Sequence, residues 1–175
     1  NGDRYEGYFK NGMKSGKGTF YDANGDRYEG EYKDDICEGY GVYFYKSGDR
    51  YEGNFKDDSV RAGNFIFKNG DEYIGRWKGG KRHGLGIFIK KKGEIYAGEW
   101  KDDKPNGRGL CLMPNGDQYL GELLENKKNG FGVCLYQKGD KYAGNWSNDN
   151  KDGQGCYIYK NGEKYDGNWE NNMFS

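Results

Sequence analysis

The sequence repeats with a period of about 23 residues, marked by tyrosines that each stand two residues before a glycine. Consecutive members are 23 residues apart, except for a gap of 22 between Tyr51 and Tyr73. The eight members are Tyr5, Tyr28, Tyr51, Tyr73, Tyr96, Tyr119, Tyr142 and Tyr165. A period of this size is typical of stacked repeat architectures, so the fold of one unit predicts the fold of the chain. Such arrays usually present binding surfaces rather than catalytic pockets.

The composition excludes several function classes. The chain has 175 residues, of which 33% are hydrophobic and 32 are glycine. The glycines recur at fixed places in the repeat, as at Gly7, Gly16 and Gly18, which argues against a disordered glycine-rich linker. The formal net charge is zero, so no overall field attracts nucleic acid or an anionic membrane. No apolar run approaches the roughly 20 residues that span a bilayer. Separately, we expect the chain to be a fragment of a longer protein.

One repeat reads as two β-strands. From Arg4 to Phe9, and again from Gly16 to Tyr21, apolar and polar residues alternate, which indicates strands. A polar turn at Asn11-Gly12 joins them, and Asn24-Gly25 leads to the next repeat. Because Asn-Gly favours the positive φ values of tight hairpins, we expect an all-β antiparallel sheet of stacked hairpins without helices.

Each repeat places aromatic rings and glycines on the same strand face, which we call the aromatic face. Because glycine lacks a Cβ, a ring can lie flat on the backbone there, and this packing would replace a second protein layer. The predicted structural aromatics are Tyr5, Phe9, Tyr28, Tyr32, Tyr51, Phe55, Tyr73, Trp77, Tyr96, Trp100, Tyr119, Tyr142, Trp146, Tyr165 and Trp169.

The pattern Y-x-G-x-[WF] followed by G-x-G, at this period, resembles the MORN repeat family (membrane occupation and recognition nexus). The resemblance covers residues 1–175 as a single array, with seven full copies and the first strand of an eighth. It implies an elongated, twisted, single-layer antiparallel β-sheet with a groove. It also implies scaffold roles in cytoskeletal, ciliary, junctional or cell-division structures, often as oligomers, and an older proposal of phospholipid binding belongs to the family.

Two copies depart from the pattern. The third is one residue short and has Arg61 in place of the first G-x-G glycine, which predicts an irregularity near Asp57–Gly63. The sixth has Leu123 in place of the aromatic residue, which predicts softer packing there.

The strand face opposite the aromatic face, here called the second face, changes along the chain. Its first-strand position reads Glu6, Glu29 and Glu52 in the first three copies and becomes apolar in copies four to seven. Large exposed apolar patches usually mark interaction sites, whereas strong curvature could instead let these side chains pack on one another. The predicted partner-binding residues are Ile74, Leu85, Ile87, Ile89, Leu110, Leu112, Leu120, Phe131, Val133 and Leu135.

Two basic clusters suggest acidic lipid head groups as a second possible ligand, although they fall in turns at opposite sheet edges. Solvated turns are the favoured interpretation, because the two clusters are split. The residues are Lys78, Lys81, Arg82, Lys90, Lys91 and Lys92.

No motif predicts catalysis, a cofactor or a metal. The segment Asn148–Gly153 lacks the helices and the bidentate glutamate of a calcium loop, and the G-x-G steps lack the strand–helix context of a dinucleotide site. His83 is the only histidine, and the four cysteines are expected to be reduced. A metal site would need ligands such as Cys37 and His83 to converge.

We therefore expect a non-catalytic scaffold that binds a helical or extended protein segment, a second copy of itself, or both. A phosphoinositide-binding module and an accessory repeat region of a larger enzyme are the alternatives. We expect a cytoplasmic location, with cytoskeletal or membrane association, and no nucleic-acid partner.

Overall fold

A computed structural model describes residues 2–175, apart from the side chain of Arg61. Within them all regular structure is β, and no helix is available to span a membrane. The strands are β1 (Arg4–Lys10), β2 (Met13–Tyr21), β3 (Arg27–Lys33), β4 (Ile36–Phe44), β5 (Arg50–Lys56), β6 (Ser59–Ile66), β7 (Glu72–Lys78), β8 (Lys81–Ile89), β9 (Ile95–Lys101), β10 (Lys104–Leu112), β11 (Gln118–Leu124), β12 (Lys127–Leu135), β13 (Lys141–Ser147), β14 (Asn150–Ile158), β15 (Lys164–Glu170) and β16 (Met173–Phe174).

The chain divides into an N-terminal unit, Asn1–Gly80, and a C-terminal unit, Lys81–Ser175. In the N-terminal unit, β1 to β7 pair antiparallel in sequence order. In the C-terminal unit, β8 to β16 do the same. The predicted all-β architecture of stacked antiparallel hairpins is confirmed in each unit.

Glycines face one another across each strand pair from β1 to β7 and from β8 to β15. In the first hairpin Gly7 pairs with Gly18, which in turn pairs with Gly30 of the next repeat. A Cβ added at Gly144 would lie 2.6 Å from Tyr142 Oη, because the tyrosine ring lies flat over this glycine pair. The hydroxyl of Tyr142 then donates a hydrogen bond of 2.9 Å to the carbonyl of Asn145. The predicted packing of rings on glycines is therefore the core of the fold.

The tight turns lie within the repeats, contrary to the expectation for Asn24-Gly25. Two consecutive residues with positive φ, such as Asp34 (51°) and Asp35 (70°), form the turn between β3 and β4. Such pairs are the signature of type I′ hairpin turns. At Asn24-Gly25 only the glycine has positive φ, because a five-residue loop separates the paired Tyr21 and Arg27.

Each hairpin with a described register, apart from the short β15–β16 pair, contains a bulge in its second strand. In the first, pairing passes from Gly7↔Gly18 to Phe9↔Lys14, so four steps on β2 match two on β1. The first G-x-G glycine lies in this bulge and has positive φ, as at Gly16 (71°). A residue with a Cβ would be strained there.

The third hairpin absorbs its missing residue in this bulge. Pairing passes from Asn54↔Ala62 to Phe55↔Val60, so two steps on β6 match one on β5. One extra residue remains instead of two, which places the predicted irregularity inside Asp57–Gly63. The side chain of Arg61 lies outside the described part of the structure.

The final half repeat is longer than one strand. We expected only the first strand of the eighth copy, with no strand after it to pair with. The short β16 instead follows β15 and pairs with it through Trp169↔Phe174 and Glu170↔Met173. Phe174 packs against both aromatic residues, with ring centroids 4.3 Å from Tyr165 and 4.7 Å from Trp169. A short apolar pair thus covers the last aromatic residues of the array.

Candidate partner-binding surfaces

The second face of the C-terminal unit carries a continuous apolar row. Each member is the direct cross-strand partner of the next, on seven successive strands from β8 to β14. In order the row contains Ile87, Ala97, Leu110, Leu120, Val133, Ala143 and Cys156. Side chains directly opposite in neighbouring strands lie about 4.5–5.5 Å apart at Cβ, so the row forms one surface.

Much of this surface is open to solvent. Leu120 and Leu85 are each 61% exposed, and Phe131 is 56% exposed. A parallel apolar row begins with Ile89, Ile95 and Leu112, which pair in register beside the first. The structure thus brings nine of the ten predicted partner-binding residues onto one face of the C-terminal unit. The tenth, Ile74, is 43% exposed on β7 of the N-terminal unit.

The second face of the N-terminal unit carries ion pairs between arginine and glutamate. Arg27 and Glu29 lie two residues apart on β3 and form an ion pair of 2.9 Å. The guanidinium of Arg27 also lies 4.1 Å from the ring centroid of Phe44, its cross-strand partner. Equivalent ion pairs join Arg4 to Glu6 and Arg50 to Glu52. Arg4 covers the ring of Tyr21 in the same way, whereas Tyr8 and Tyr40 on this face remain exposed.

The aromatic face has the arrangement that the sequence predicts. Rings of one repeat pack edge-on against each other and against the next repeat, as Tyr28 does with Tyr32 (5.3 Å) and Phe55 (4.9 Å). Eleven of the fifteen predicted structural aromatics are buried, whereas Tyr5, Trp77 and Tyr165 are half-buried. Phe9 is 62% exposed on β1, which pairs only with β2 among the described strands.

Lysines enter this face at a position that the sequence reasoning missed. The second residue of β2, β12 and β14 is Lys14, Lys128 and Lys151, and each ammonium lies over aromatic rings. Lys151 Nζ is 4.5 Å from the Tyr157 centroid and 4.6 Å from that of Trp169. Burial among these rings lowers the pKa of Lys151. The signal was the recurrence of lysine at one place in the repeat, which strand alternation alone does not distinguish from a solvated charge.

A cavity of about 510 Å³ opens where the repeat departs from its pattern. Leu123 and Cys111 line it, at positions where other repeats have aromatic rings, and Tyr96 forms a further wall. Tyr96 packs on Trp100 of its own repeat. Leu123 lines the same cavity at the position where the next repeat would otherwise supply an aromatic ring. The cavity agrees with the softer packing expected near Leu123.

The four cysteines are free thiols. Cys111 and Cys134 lie two strands apart, since both pair with Tyr119 on the strand between them. Burial raises the pKa of Cys111 to about 11 and that of Cys37 to about 12, so both are neutral at physiological pH.

The basic residues considered for lipid binding are partly engaged within the fold. Arg82 donates to Asp103 through Nε (3.1 Å) and lies 4.4 Å from the centroid of Trp100. Lys90 forms an ion pair of 2.7 Å with Glu94. These contacts reduce the charge available to a head group. In residues 2–175, no group of three or more histidine, cysteine or acidic side chains is placed to hold a metal ion.

Comparison with known proteins found no match among curated sequences. Among solved structures, the chain resembles the TCP domain of Drosophila melanogaster SAS-4 in complex with a proline-rich motif of Ana2. The two are 13% identical with a TM-score of 0.56, over 86% of this chain and 83% of that one. The TCP10c domain of Drosophila melanogaster Sas-4 gives 12% identity and a TM-score of 0.51, over 88% of this chain and 93% of that one. At this identity the likeness concerns the fold alone.

The MORN repeat family model matches most of the chain. The matched segments are 5–27, 28–50, 73–95, 96–118, 119–141, 142–164 and 165–175. The unmatched segment, 51–72, is the copy that is one residue short. The chain belongs to the MORN repeat family.

Proposed function

We propose that this chain is a non-catalytic scaffold that binds a segment of a partner protein on the second face of its C-terminal unit. The observation that carries the proposal is the apolar row from Ile87 to Cys156, which crosses seven strands, is exposed at Ile87 and Leu120, and is half-buried elsewhere. An apolar surface of this continuity is rare on a protein without a partner. In keeping with the family resemblance, the assembly served is a cytoskeletal one.

The resemblance in fold to the SAS-4 TCP domain supports a peptide-like partner. That domain was solved with a proline-rich motif of Ana2 bound. An extended or helical segment that carries apolar side chains at regular intervals would match rows of side chains spaced by the strand separation of about 4.8 Å. The partner segment is therefore expected to be apolar on the side that contacts Leu120 and Val133.

The test replaces two members of this surface, Leu112→Asp and Val133→Asp, in one double variant. The control places aspartate at the two second-face positions of the N-terminal unit that correspond to Val133, Thr19→Asp and Asn64→Asp. Affinity capture from cells, quantified by mass spectrometry, identifies proteins that the wild type retains. A direct partner is retained by the control and lost by the double variant, while circular dichroism of both variants keeps its β-sheet spectrum.

Two outcomes would contradict the proposal. Equal retention by both variants would exclude this surface as the recognition site. Concentration-dependent light scattering that shows a dimer in the wild type and a monomer in the double variant would assign the surface to a second copy of the chain.

A further inference from the structure

The ammonium of Lys151 lies in a cage of rings on the aromatic face. Its walls are Tyr142, Tyr157 and Trp169, with Nζ to centroid distances of 5.3, 4.5 and 4.6 Å. The hydroxyl of Tyr157 donates a hydrogen bond of 2.6 Å to Asp140, which places a carboxylate beside the rings. A lysine ammonium over several aromatic rings is stabilised by the negative potential of their faces.

The equivalent cage in the second repeat has aromatic walls at the same positions and lacks the central lysine. Tyr28, Tyr43 and Phe55 stand at the positions of Tyr142, Tyr157 and Trp169, and Cys37 replaces the lysine. The hydroxyl of Tyr43 donates to Asp26 at 3.0 Å, as Tyr157 does to Asp140. The cage therefore keeps its rings and its carboxylate, while its own side chain is short and neutral.

The surroundings of Cys37 are also more acidic. Asp22 occupies the place that Tyr136 takes near Lys151, where that tyrosine centroid is 5.6 Å from Nζ. A cavity of about 230 Å³ opens at this point. The charged residues that line it are Asp22, Asp26, Asp35, Asp58, Lys14 and Arg27. The guanidinium of Arg27 is paired with Glu29. The four aspartates that line the cavity therefore outnumber its remaining cation, Lys14.

We propose that the Cys37 cage takes a lysine or arginine side chain from a basic segment of a partner protein. The chain's own lysines fill the corresponding cages at Lys14, Lys128 and Lys151, so the repeat itself shows the chemistry of the occupant. Charge complementarity with Asp22 and Asp26 selects a cation over a neutral apolar side chain. The site lies on the aromatic face and so goes beyond the apolar surface proposed above.

The test uses a trilysine amide peptide as the probe, titrated into isotopically labelled protein and followed by NMR. The wild type should show shifts at the backbone amide of Cys37 and the ring of Tyr43. Cys37→Lys supplies an internal cation and should weaken this binding at least tenfold, whereas Cys37→Ser should leave it unchanged. The same peptide with acetylated ε-amines should not shift these signals.

The reciprocal variant makes the test independent of how Cys37→Lys folds. Lys138 also pairs with Asp140 at 2.7 Å and lies 6.0 Å from the Tyr157 centroid. Lys151→Cys, made together with Lys138→Asn to match Asn24 of the second repeat, should therefore empty the Lys151 cage and create a new site, seen as a peptide-dependent shift of the Trp169 indole Nε1–H. In the wild type that signal should stay in place, because Lys151 occupies the cage.

Three results would overturn the proposal: equal binding by Cys37→Lys and wild type, equal binding of the acetylated peptide, or no new site in the variant with Lys151→Cys and Lys138→Asn. The Leu112→Asp and Val133→Asp double variant should bind trilysine like the wild type. Its behaviour separates this inference from the proposed function.

Discussion

The two units share one core and differ on the face that the core does not use. In both, tyrosines lie on paired glycines, as at Gly30↔Gly41 in the N-terminal unit and Gly144↔Gly155 in the C-terminal unit. On the second face, Glu29 pairs with Arg27 in one unit, whereas Leu120 and Val133 form an apolar row in the other. Because the core uses only the aromatic face, the residues of the second face are free to vary. The composition of the second face can therefore reflect the partner that it binds.

The shared aromatic core explains how an array with such low hydrophobic content folds. Burial comes from aromatic rings, which contribute large areas each, and glycine lets them contact backbone on the same sheet. Tyr51, Tyr73, Tyr119 and Tyr142 are fully buried although each unit has no second layer. The apolar row of the C-terminal unit is therefore not required for this core.

The largest expected effect tests whether the two cores are equivalent. We expect Gly30→Ala and Gly144→Ala to destabilise the protein by about 1–3 kcal/mol each, because the new methyl would overlap neighbouring atoms. At Gly30 a Cβ would lie 2.8 Å from the Cα of Gly41. Urea unfolding measures both, with Glu29→Ala on the exposed face as the control, which should change stability little. A cost in only one unit would break the comparison.

An intermediate effect concerns an aspartate that ties successive loops in both units. Asp140 accepts hydrogen bonds from Tyr157 and from the amide of Lys160, and it pairs with Lys138 at 2.7 Å. The hydrogen bond and charge of Lys138, with the hydrogen bond from Tyr157, lower the pKa of Asp140 to about 2. The unfolded value is about 3.9, so this carboxylate stabilises the fold above pH ~4 and loses its contribution as pH falls to about 2.

Asp140→Asn should therefore reduce the stability lost between pH 4 and pH 2, measured as the thermal midpoint against pH. Asp26, at the same position of the N-terminal unit, also has a lowered pKa, chiefly through the amide of Lys46. Asp26→Asn should act in the same direction. An unchanged acid transition in both variants would show that these carboxylates do not titrate with unfolding.

The smallest expected effect lies on the charged second face. Removing one ion pair by the paired change Arg50→Ala and Glu52→Ala should alter stability by about 0.2–1 kcal/mol, since both groups are partly exposed. The difference should shrink in 1 M salt, where the screening length falls to about 3 Å. A larger, salt-independent loss would mean that this face contributes packing as well as charge.

Much of the fold could be predicted from the sequence because the same spacing of tyrosines and glycines recurs in each repeat. The spacing of Tyr28 and Gly30 predicts strands and the ring-on-glycine contact, and Leu123 marks the place where packing changes. The within-repeat turn at Asn11-Gly12 was predicted, whereas the tight turn expected at Asn24-Gly25 was wrong because the Asn-Gly pair there lies in a longer loop. The bulge at Gly16 was missed because two extra residues do not alter which face the strand presents. The lysine cages depend on rings from adjacent repeats, which one repeat read alone does not show.

The sequence by itself determined the repeat, the hairpins, the aromatic core and the change of the second face from charged to apolar. These features follow from spacing, because a period of two in a strand fixes which residues share a face. Only the tertiary structure decided that Ile87 to Cys156 form one continuous row, that Lys151 lies in a cage of rings, and that a cavity opens beside Cys37. Register across strands and contacts between repeats set these features, since they depend on distances between residues that are far apart in sequence.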